Sequence, residues 1–459
     1  MRTCLWRRHD KKTISFIVFE FGKMTHSRAV SVRWRAGTQI AQVCAMSMPE
    51  TQLPLHCLPQ KSAESLDLLK DVKVLDLTTS IAGPYAGQLL ADMGATVVKI
   101  EKPNGGDDAR AWGPPFLHGE SLWFMSVNRG KQSVTLDVGS PEGKQVLQRL
   151  VIQCDVILLN LVSRAQRKLG LDPASLRPLN SRLIHVSLTG FGTTGPRADL
   201  PCYDLIAEGY SGVMDLTGEL ESPPQKVGTP AADMLAGSDA AMAVLAALLR
   251  RERNGQGCDI DISMVESMSR FMTPRLMPYL ASGEVSRRSG GRDSVIAIYQ
   301  VFETADTPMT LGLGNDAIWK RFWVTVGRPE VGNDPEFSSN VQRRERRDDI
   351  VRIIAELLLT QPRAHWLKIL SEARVPAGPI QRLDELAADV GLHASGFLYT
   401  TNGPDGLLPQ VGLGIKFDGQ AEGTQIPPPK LGAHTDSVLK TWLDFDAAKI
   451  QQLRVQRAI

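Results

Sequence analysis

The chain has 459 residues, 42% hydrophobic and 22% charged, an ordinary composition for a globular protein of one large or two medium domains. Its formal net charge of +2 gives no reason to expect nucleic acid as a partner. The six cysteines are scattered without a CxxC pair and the eight histidines do not cluster, so neither a disulfide framework nor a metal site is expected. No membrane association is expected, because no unbroken apolar run approaches the roughly 20 residues of a membrane helix.

The first part of the chain differs from the rest in charge. Residues 1–49 contain nine Lys or Arg and two acidic residues, which leaves about −5 for the remainder. Three interpretations of the basic extension, residues 1–68, stay open: translation assigned too far upstream, an Arg-rich transit peptide, or a functional disordered arm. We expect a cytoplasmic protein, or one of the mitochondrial matrix if the extension is a transit peptide.

From about residue 72 the pattern of apolar residues becomes regular. A strand at 72–79, a helix at 84–95 and a strand at 96–103 predict a βαβ unit with a parallel sheet. The same reasoning predicts strands at 133–138, 154–160 and 182–190 and a helix at 141–153. The order predicts an α/β fold with a doubly wound, Rossmann-like sheet. The Gly-rich loop at 190–196 lacks the spacing of a dinucleotide fingerprint, so NAD is not implied.

The second half of the chain contains the longest helical pattern, at 230–253, which ends before Asn254-Gly255. A strand at 259–263 follows, and near residue 280 the composition becomes polar and Gly-rich. Later patterns predict a smaller α+β domain, with strands at 296–304 and 309–314 and helices at 316–326 and around 342–374. The charged run at 343–349 is expected to be a solvated helix face. Strand-like segments return after residue 396.

The motifs of several enzyme classes are absent from the sequence. There is no GxSxG elbow and no Walker A loop, so a serine hydrolase and NTP-dependent phosphoryl transfer are both unsupported. What remains is a carboxylate-centred site, and Asp204 in YDLIAEGYSG (203–212) is its candidate. An Asp before an apolar helical run is either a helix cap, worth about 1 kcal/mol, or a carboxylate kept for chemistry.

Four segments in the same order resemble one enzyme family. They are residues 74–110, 126–147, 190–212 and 427–440, and the likeness covers about 70 to 459. The sequence resembles the class III CoA-transferases, the CaiB/BaiF family, which includes formyl-CoA transferase and the carnitine and bile-acid CoA-transferases. Segments such as GDDARAWGPPF look most like the succinyl-CoA:glutarate and hydroxymethylglutarate enzymes.

The resemblance implies a CoA-transferase that moves CoA from an acyl-CoA thioester to a free carboxylic acid. By match to the family motif, Asp204 is the nucleophile, which would pass through an acyl anhydride and an aspartyl-CoA thioester. The resemblance to the succinyl-CoA:glutarate and hydroxymethylglutarate enzymes favours succinyl-CoA as the CoA donor. It favours a dicarboxylate such as glutarate or hydroxymethylglutarate as the acceptor. CoA thioesters are then substrates, and no tightly bound cofactor is expected.

The resemblance also implies binding residues. Lys102, Asn160 and Lys168 match positions that contact CoA, although the usual Glu-Asn-hydrophobic-Pro-Gly run is here Leu-Asn-Leu-Val-Ser. Arg110 is expected to clamp a substrate carboxylate, with an ion pair to Asp107 or Asp108 as the alternative. Ile81 occupies a position where oxalate-using enzymes carry Gln, which argues against oxalate as the acceptor.

Two other functions are weighed against the transferase. Racemases of α-methylacyl-CoA in the same family pair a His with the Asp, but this chain has Tyr203 before Asp204 and no His in 171–182. His185 lies on a predicted strand, where a core histidine is expected. A non-catalytic CoA-binding protein is the other alternative, and an intact Asp204 disfavours it.

The architecture that the resemblance implies is an interlocked homodimer. Residues 69–280 and 396–459 would form the large Rossmann-like domain, and residues 281–395 the small domain. The Gly-rich loop at 289–293 is expected either to cover the acyl site or to be an exposed linker.

Overall fold

The computed structural model describes residues 4–10, 13–18, 53–61, 66–419 and 424–459. The chain divides into two units, Met1–His56 and Cys57–Ile459. In the first unit, Cys4–Asp10 (β1) pairs in antiparallel fashion with Thr13–Val18 (β2). Most of the predicted basic extension, residues 1–68, lies outside the described residues.

The second unit contains the remaining regular elements of the described chain. Its strands are β3 (Lys73–Asp76), β4 (Thr96–Glu101), β5 (Phe116–Leu117), β6 (Glu120–Ser121), β7 (Lys131–Thr135), β8 (Val156–Leu159), β9 (Ile184–Thr189), β10 (Cys258–Ser263), β11 (Tyr299–Phe302), β12 (Met309–Gly312), β13 (Ala377–Pro379), β14 (Leu398–Gly403) and β15 (Gly406–Val411). Its helices are α1 (Ala82–Asp92), α2 (Leu122–Ser126), α3 (Pro141–Gln153), α4 (Ser163–Leu169), α5 (Pro173–Leu176), α6 (Asp204–Ser211), α7 (Val213–Leu216), α8 (Ala231–Asn254), α9 (Met264–Phe271), α10 (Thr273–Ser282), α11 (Asp316–Thr325), α12 (Pro329–Gly332), α13 (Asn340–Glu345), α14 (Arg347–Leu358), α15 (Arg363–Glu372), α16 (Leu383–Ala387), α17 (Val390–Ala394), α18 (Thr435–Leu443) and α19 (Ala447–Val455).

A six-stranded sheet organises this unit. Its strand order is β10-β9-β8-β3-β4-β7, and every neighbouring pair is parallel. Chain order runs outward from β3 to β4 and β7 on one side and from β8 to β9 and β10 on the other. The sheet is therefore doubly wound, as the sequence predicts, and its order reverses between β3 and β8.

Two hydrophobic cores cover the two faces of this sheet. One buries residues of α1, α8 and α9 against the strands. The other contains residues of α3 together with α18 and α19 at the end of the chain. The C-terminal helices thus pack on the same sheet that the first βαβ unit begins.

A third core belongs to the middle of the chain. It gathers buried residues between Ala297 and Val375 around the antiparallel sheet β11-β12-β13. The helical structure expected around 342–374 is confirmed, and it is divided into α13, α14 and α15. The solvated face expected for 343–349 is partly wrong: Arg343 is buried, pairs with Asp316 and lies over the ring of Trp319.

The longest helix of the described chain is α8, with 24 residues. By length and composition it is apolar enough to cross a membrane. The search for unbroken apolar runs in the sequence missed this helix, because charged and polar residues interrupt it. In the structure it packs through buried alanines, among them Ala232, Ala236 and Ala240, into the core of the sheet. Gly237 allows the close approach of α1, because a Cβ there would lie 2.5 Å from the carbonyl oxygen of Ala82.

Helix α10 is placed differently, since none of its residues is buried within the described chain. Its large apolar side chains Leu276, Met277, Tyr279 and Leu280 are all exposed. Nearby on α9, Phe271 is also exposed. These five residues, which we call the α10 face, form an uncovered apolar surface.

Candidate active site

The loops after β3 and β8 meet where the order of the sheet reverses. Asn160, directly after β8, donates from Nδ2 to the carbonyl oxygen of Thr79 (2.8 Å) and accepts at Oδ1 from the Thr79 N–H (3.1 Å). Thr79 lies on the loop between β3 and α1. Doubly wound sheets bind ligands outside the carboxyl ends of their strands at this reversal, so this crevice is the expected ligand site.

A buried network of charges adjoins the crevice. Asp76 pairs with Lys131 at 2.8 Å, Lys99 pairs with Asp107 at 2.9 Å, and none of the four side chains has exposed surface. Burial alone would raise the pKa of Asp76, but the charges of Lys131 and Lys99 outweigh it and lower that pKa to about 2. Burial lowers the pKa of Lys131 to about 8. Lys99 also donates to the carbonyl oxygen of Thr78, so the network supports the loop that Asn160 holds.

The two lysines predicted to contact CoA are exposed. Lys102 follows β4 and forms an ion pair with Asp108 at 2.7 Å. Lys168 lies in the last turn of α4, the helix after β8. Lys102 and Asn160 thus follow the two strands on either side of β3, and Lys168 lies on the helix after Asn160.

Arg110 forms an ion pair within its own chain. Its Nε and Nη2 donate to both carboxylate oxygens of Glu101, at 2.7 and 2.8 Å, and Nη2 also donates to the carbonyl oxygen of Pro429. The guanidinium is buried and lies over the ring of Phe124. Its partner is therefore Glu101 rather than Asp107 or Asp108, while Nη1 has no hydrogen bond among the described residues and lies 3.5 Å from a carboxylate oxygen of Glu120.

Ile81 is also placed inside the protein. It directly precedes α1, and its side chain is only 2% exposed. In this conformation it does not present an apolar surface to a substrate.

Asp204 begins α6 and points at the start of a second helix. Its Oδ1 accepts from the backbone N–H groups of Ala232 (2.8 Å) and Asp233 (3.3 Å), in the first turn of α8. Asp204 therefore does cap a helix, because its carboxylate accepts hydrogen bonds from free backbone N–H groups. The helix that it caps is α8, however, and not α6, on which it lies. The partial positive charge at a helix N-terminus stabilises a carboxylate or an oxyanion at this position.

Two further carboxyl groups surround Asp204. Asp233 lies in the first turn of α8, and burial, followed by the charge of Asp204, raises its pKa to about 7. Glu208 lies one turn after Asp204 on α6 and is fully buried. Its Oε2 accepts from the Val227 N–H at 2.8 Å. Burial and then the charge of Asp204 raise the pKa of Glu208.

Sequence reasoning missed both of these carboxyls as members of the site. Asp233 was visible only as an acidic residue in the first turn of a helix. The signal for Glu208 was its spacing of four residues from Asp204, which places both side chains on one face of a helix.

The Gly-rich loop packs within its own chain. The Gly290 N–H donates to the carbonyl oxygen of Gly218 at 2.9 Å. Asp293 at its end pairs with Arg275 of α10 at 3.1 Å. The loop is therefore held against the segment that follows α7.

His185 is a buried residue of β9. Its Nε2 lies 2.8 Å from the carbonyl oxygen of Leu171, and burial lowers its pKa. It is thus a core histidine, as expected. No cluster of metal-ligating side chains occurs among the described residues.

Comparison with known proteins decides the family. The sequence matches the family model described as CoA-transferase family III over residues 69–435. The chain belongs to the family III CoA-transferases. It is an α/β enzyme that transfers CoA, as the resemblance implies.

Individual relatives of this family III CoA-transferase are similar over most of its length. The succinate–glutarate CoA-transferase of Agrobacterium fabrum is 38% identical over 378 residues, 81% of this chain and 94% of the relative. The acetyl-CoA:oxalate CoA-transferase of Acetobacter aceti is 37% identical over 315 residues, 68% of this chain and 81% of the relative. The crystal structure of a CAIB/BAIF family protein from Brucella suis superposes with a TM-score of 0.73 at 35% identity, covering 83% of this chain and 100% of that one.

Proposed function

We propose that this family III CoA-transferase moves CoA from succinyl-CoA to a free dicarboxylate, glutarate or hydroxymethylglutarate, and that Asp204 carries the group. The observation that supports Asp204 most directly is its placement on two backbone N–H groups at the start of α8. The choice of donor and acceptor rests on the similarity to the Agrobacterium succinate–glutarate enzyme.

The reaction runs through two exchanges at Asp204. A carboxylate oxygen of Asp204 attacks the thioester carbonyl of succinyl-CoA, the C–S bond breaks, and CoA leaves as thiolate. The thiolate attacks the aspartyl carbonyl of the resulting anhydride, and succinate leaves as a carboxylate. The acceptor carboxylate then attacks the aspartyl-CoA thioester, and the thiolate released takes the new acyl group from the second anhydride. Asp204 returns as a carboxylate, and no proton is consumed.

The surroundings of Asp204 support this chemistry. The N-terminus of α8 stabilises negative charge both on the carboxylate and on the oxyanion of each tetrahedral intermediate. Asp233 and Glu208 have raised pKa values, which favours their neutral forms beside the charge of Asp204. At pH values below the pKa of Asp233, a single negative charge at the site limits repulsion of the anionic acceptor.

CoA recognition is proposed for Lys102, Asn160 and Lys168. The two lysines are exposed and would meet the phosphates, while Asn160 holds the loop of Thr79 at the edge of the crevice. Substrate contact by Arg110 and Ile81 is proposed from the resemblance alone, since both side chains are buried in this conformation. Arg110 also fixes the loop after β4 through Glu101.

We further propose that the enzyme is a homodimer in which the α10 face is covered by the partner subunit. Within each chain, the large domain would comprise 69–280 and 396–459 and the small domain 281–395, a division supported by the separate core between Ala297 and Val375. The proposed location is the cytoplasm, or the mitochondrial matrix if residues 1–68 are a transit peptide.

The test incubates the full chain with succinyl-CoA and glutarate, hydroxymethylglutarate, oxalate or a branched monocarboxylate, and detects new acyl-CoA by mass spectrometry. We expect product with a dicarboxylate and a loss of at least about 1,000-fold in Asp204→Asn. The matched control is Asp215→Asn, an exposed carboxylate on α7, which should retain activity. Hydroxylamine added during turnover should label the peptide that contains Asp204.

Other outcomes would redirect the proposal. If oxalate is the only acid that gives a new acyl-CoA, the acceptor is oxalate, as in the name of the Acetobacter relative, and not a longer dicarboxylate. Exchange of the α-proton of a branched acyl-CoA without CoA transfer would establish the racemase instead. Binding of CoA with neither reaction would indicate a non-catalytic protein.

A further inference from the structure

The placement of Glu208 is not explained by its contribution to folding. Its side chain is fully buried, and Oε1 has no hydrogen-bond partner in the part of the chain that the structure describes. The other oxygen is fixed by the N–H of Val227 at 2.8 Å. Glu208 has one amide donor and, among the described residues, no salt bridge, although the charge of Lys226 partly offsets its burial. A carboxylate in this setting is costly as an ion, whereas a protonated carboxyl needs only an acceptor for its O–H.

Asp204 is the acceptor that the helix supplies. The two residues are one turn apart on α6, and side chains at this spacing lie on one face. Oδ1 of Asp204 is held by the amides of α8. The second oxygen, Oδ2, has no hydrogen bond among the described residues. A hydrogen bond donated by the Glu208 carboxyl to Oδ2 would complete the orientation of the Asp204 carboxylate. Oδ2 would still have a free lone pair with which to attack the substrate.

We propose that Glu208 is a positioning residue that carries a proton and donates a hydrogen bond from Oε1 to the Asp204 carboxylate. This role rests on the proposed function, in which Asp204 is the nucleophile. Glu208 keeps its proton through the cycle, because each exchange at Asp204 begins and ends with carboxylates and thiolate. Its effect is on the orientation of Asp204 and on the net charge of the site.

The role predicts a specific dependence on pH. As the pH rises, ionisation of Glu208 removes the donor and places a second negative charge one turn from Asp204. Helices α7, α8 and α9 and the segment before α8 pack around α6. On α6 and the elements packed against it, the titratable and charged groups nearest to Glu208 in the chain are Asp204, Tyr210, Asp215, Glu219 and Glu221. The others are Lys226, Asp233, Asp239, Arg250, Arg251, Glu252, Arg253, the exposed Glu266 and the exposed Arg270, which is paired with Asp239.

The experiment compares Glu208→Gln and Glu208→Ala with the wild-type enzyme between pH 5.5 and 9. Gln has the shape of Glu and an N–H donor at every pH. Glu208→Ala should lower kcat by about 10- to 100-fold, as expected for a misplaced reacting group. Glu208→Gln should recover most of this loss, and its kcat relative to wild type should rise with pH. The exposed Glu356→Gln on α14 is the matched control and should keep the wild-type profile.

Two results would overturn the proposal. One is a Gln variant as slow as the Ala variant, and the other is a ratio of Gln to wild-type kcat that does not change with pH. If Glu208→Ala does not fold, the pH dependence of the ratio of the Glu208→Gln kcat to the wild-type kcat decides between the two outcomes. Hydroxylamine labelling of Asp204 in wild type tests the proposed function separately, so a failure of Glu208 with intact labelling overturns only this inference.

Discussion

Replacing Asp233 by Asn should make the protein more stable relative to wild type as the pH rises. In the folded state burial, and then the charge of Asp204, raises the pKa of Asp233 to about 7 from an ordinary value of 3.8. Well below pH 3.8 the group is protonated in both the folded and the unfolded state, so it has no effect on stability there. Between pH 4 and 7 the unfolded chain loses its proton first, which favours unfolding of the wild type.

The size of this effect follows from the displacement of the pKa. Each unit corresponds to 1.36 kcal/mol, so a displacement of about three units gives about 4 kcal/mol at pH 7.5 and about 1.5 kcal/mol at pH 5. Asn cannot ionise, so the Asp233→Asn variant does not lose this stability. Its free energy of unfolding, relative to that of wild type, should therefore rise between pH 5 and pH 7.5 by the difference between these two values. The absolute offset between the two proteins also contains the change in solvation, and the dependence on pH is therefore the quantity to measure.

Denaturant-induced unfolding of both proteins at several values between pH 5 and 8 provides the measurement. The Asp204→Asn background is the control, because removing the charge of Asp204 should weaken the dependence that Asp233 confers. A difference in unfolding free energy that stays constant across this range would refute the reasoning, as would an unchanged dependence in the Asp204→Asn background.

Three further outcomes are expected. Lys131→Met leaves Asp76 buried without its ion pair and should lower the free energy of unfolding by about 3–5 kcal/mol, measured by denaturant titration at pH 7; a loss below 1 kcal/mol would contradict the buried pair. Gly257→Ala should destabilise strongly, because its Cβ would lie 2.0 Å from the Leu183 carbonyl oxygen, whereas Gly228→Ala meets nothing within 4 Å and should leave the melting temperature almost unchanged. The Cys154 thiol, whose pKa burial raises, should resist alkylation in the native protein and become labelled only on unfolding; mass spectrometry of the modified peptides distinguishes the two.

Local sequence patterns predicted much of the framework. Helix α3 begins and ends where expected, because Ser140 caps it through the Gly143 N–H and Pro141 opens it. Helix α8 ends at Asn254, because Gly255 has a φ of 72°. Capping and the period of apolar residues depend on neighbours in the chain, so these signals are visible in the sequence.

The contacts between distant residues were not predictable in the same way. Lys131 and Asp76 are 55 positions apart, and no local pattern shows that two strands will bury them as a pair. The ion-pair partner expected for Arg110 was Asp107 or Asp108, and the fold supplies Glu101. The surroundings of Asp204 likewise depend on a helix that begins 27 positions later, whose first turn provides the hydrogen bonds.

The α10 face has a consequence for how the chain matures. A ten-residue helix with no buried side chain gains little from its own fold, and a segment of this length is marginal in isolation. If the partner subunit covers it, the last step of maturation is bimolecular. Recovery of activity after dilution from denaturant should then slow as the protein concentration falls. When few copies are synthesised, each chain would expose the apolar α10 face for longer before it meets a partner. Chaperone demand would be set by the rate of encounter between two chains rather than by the folding of either one.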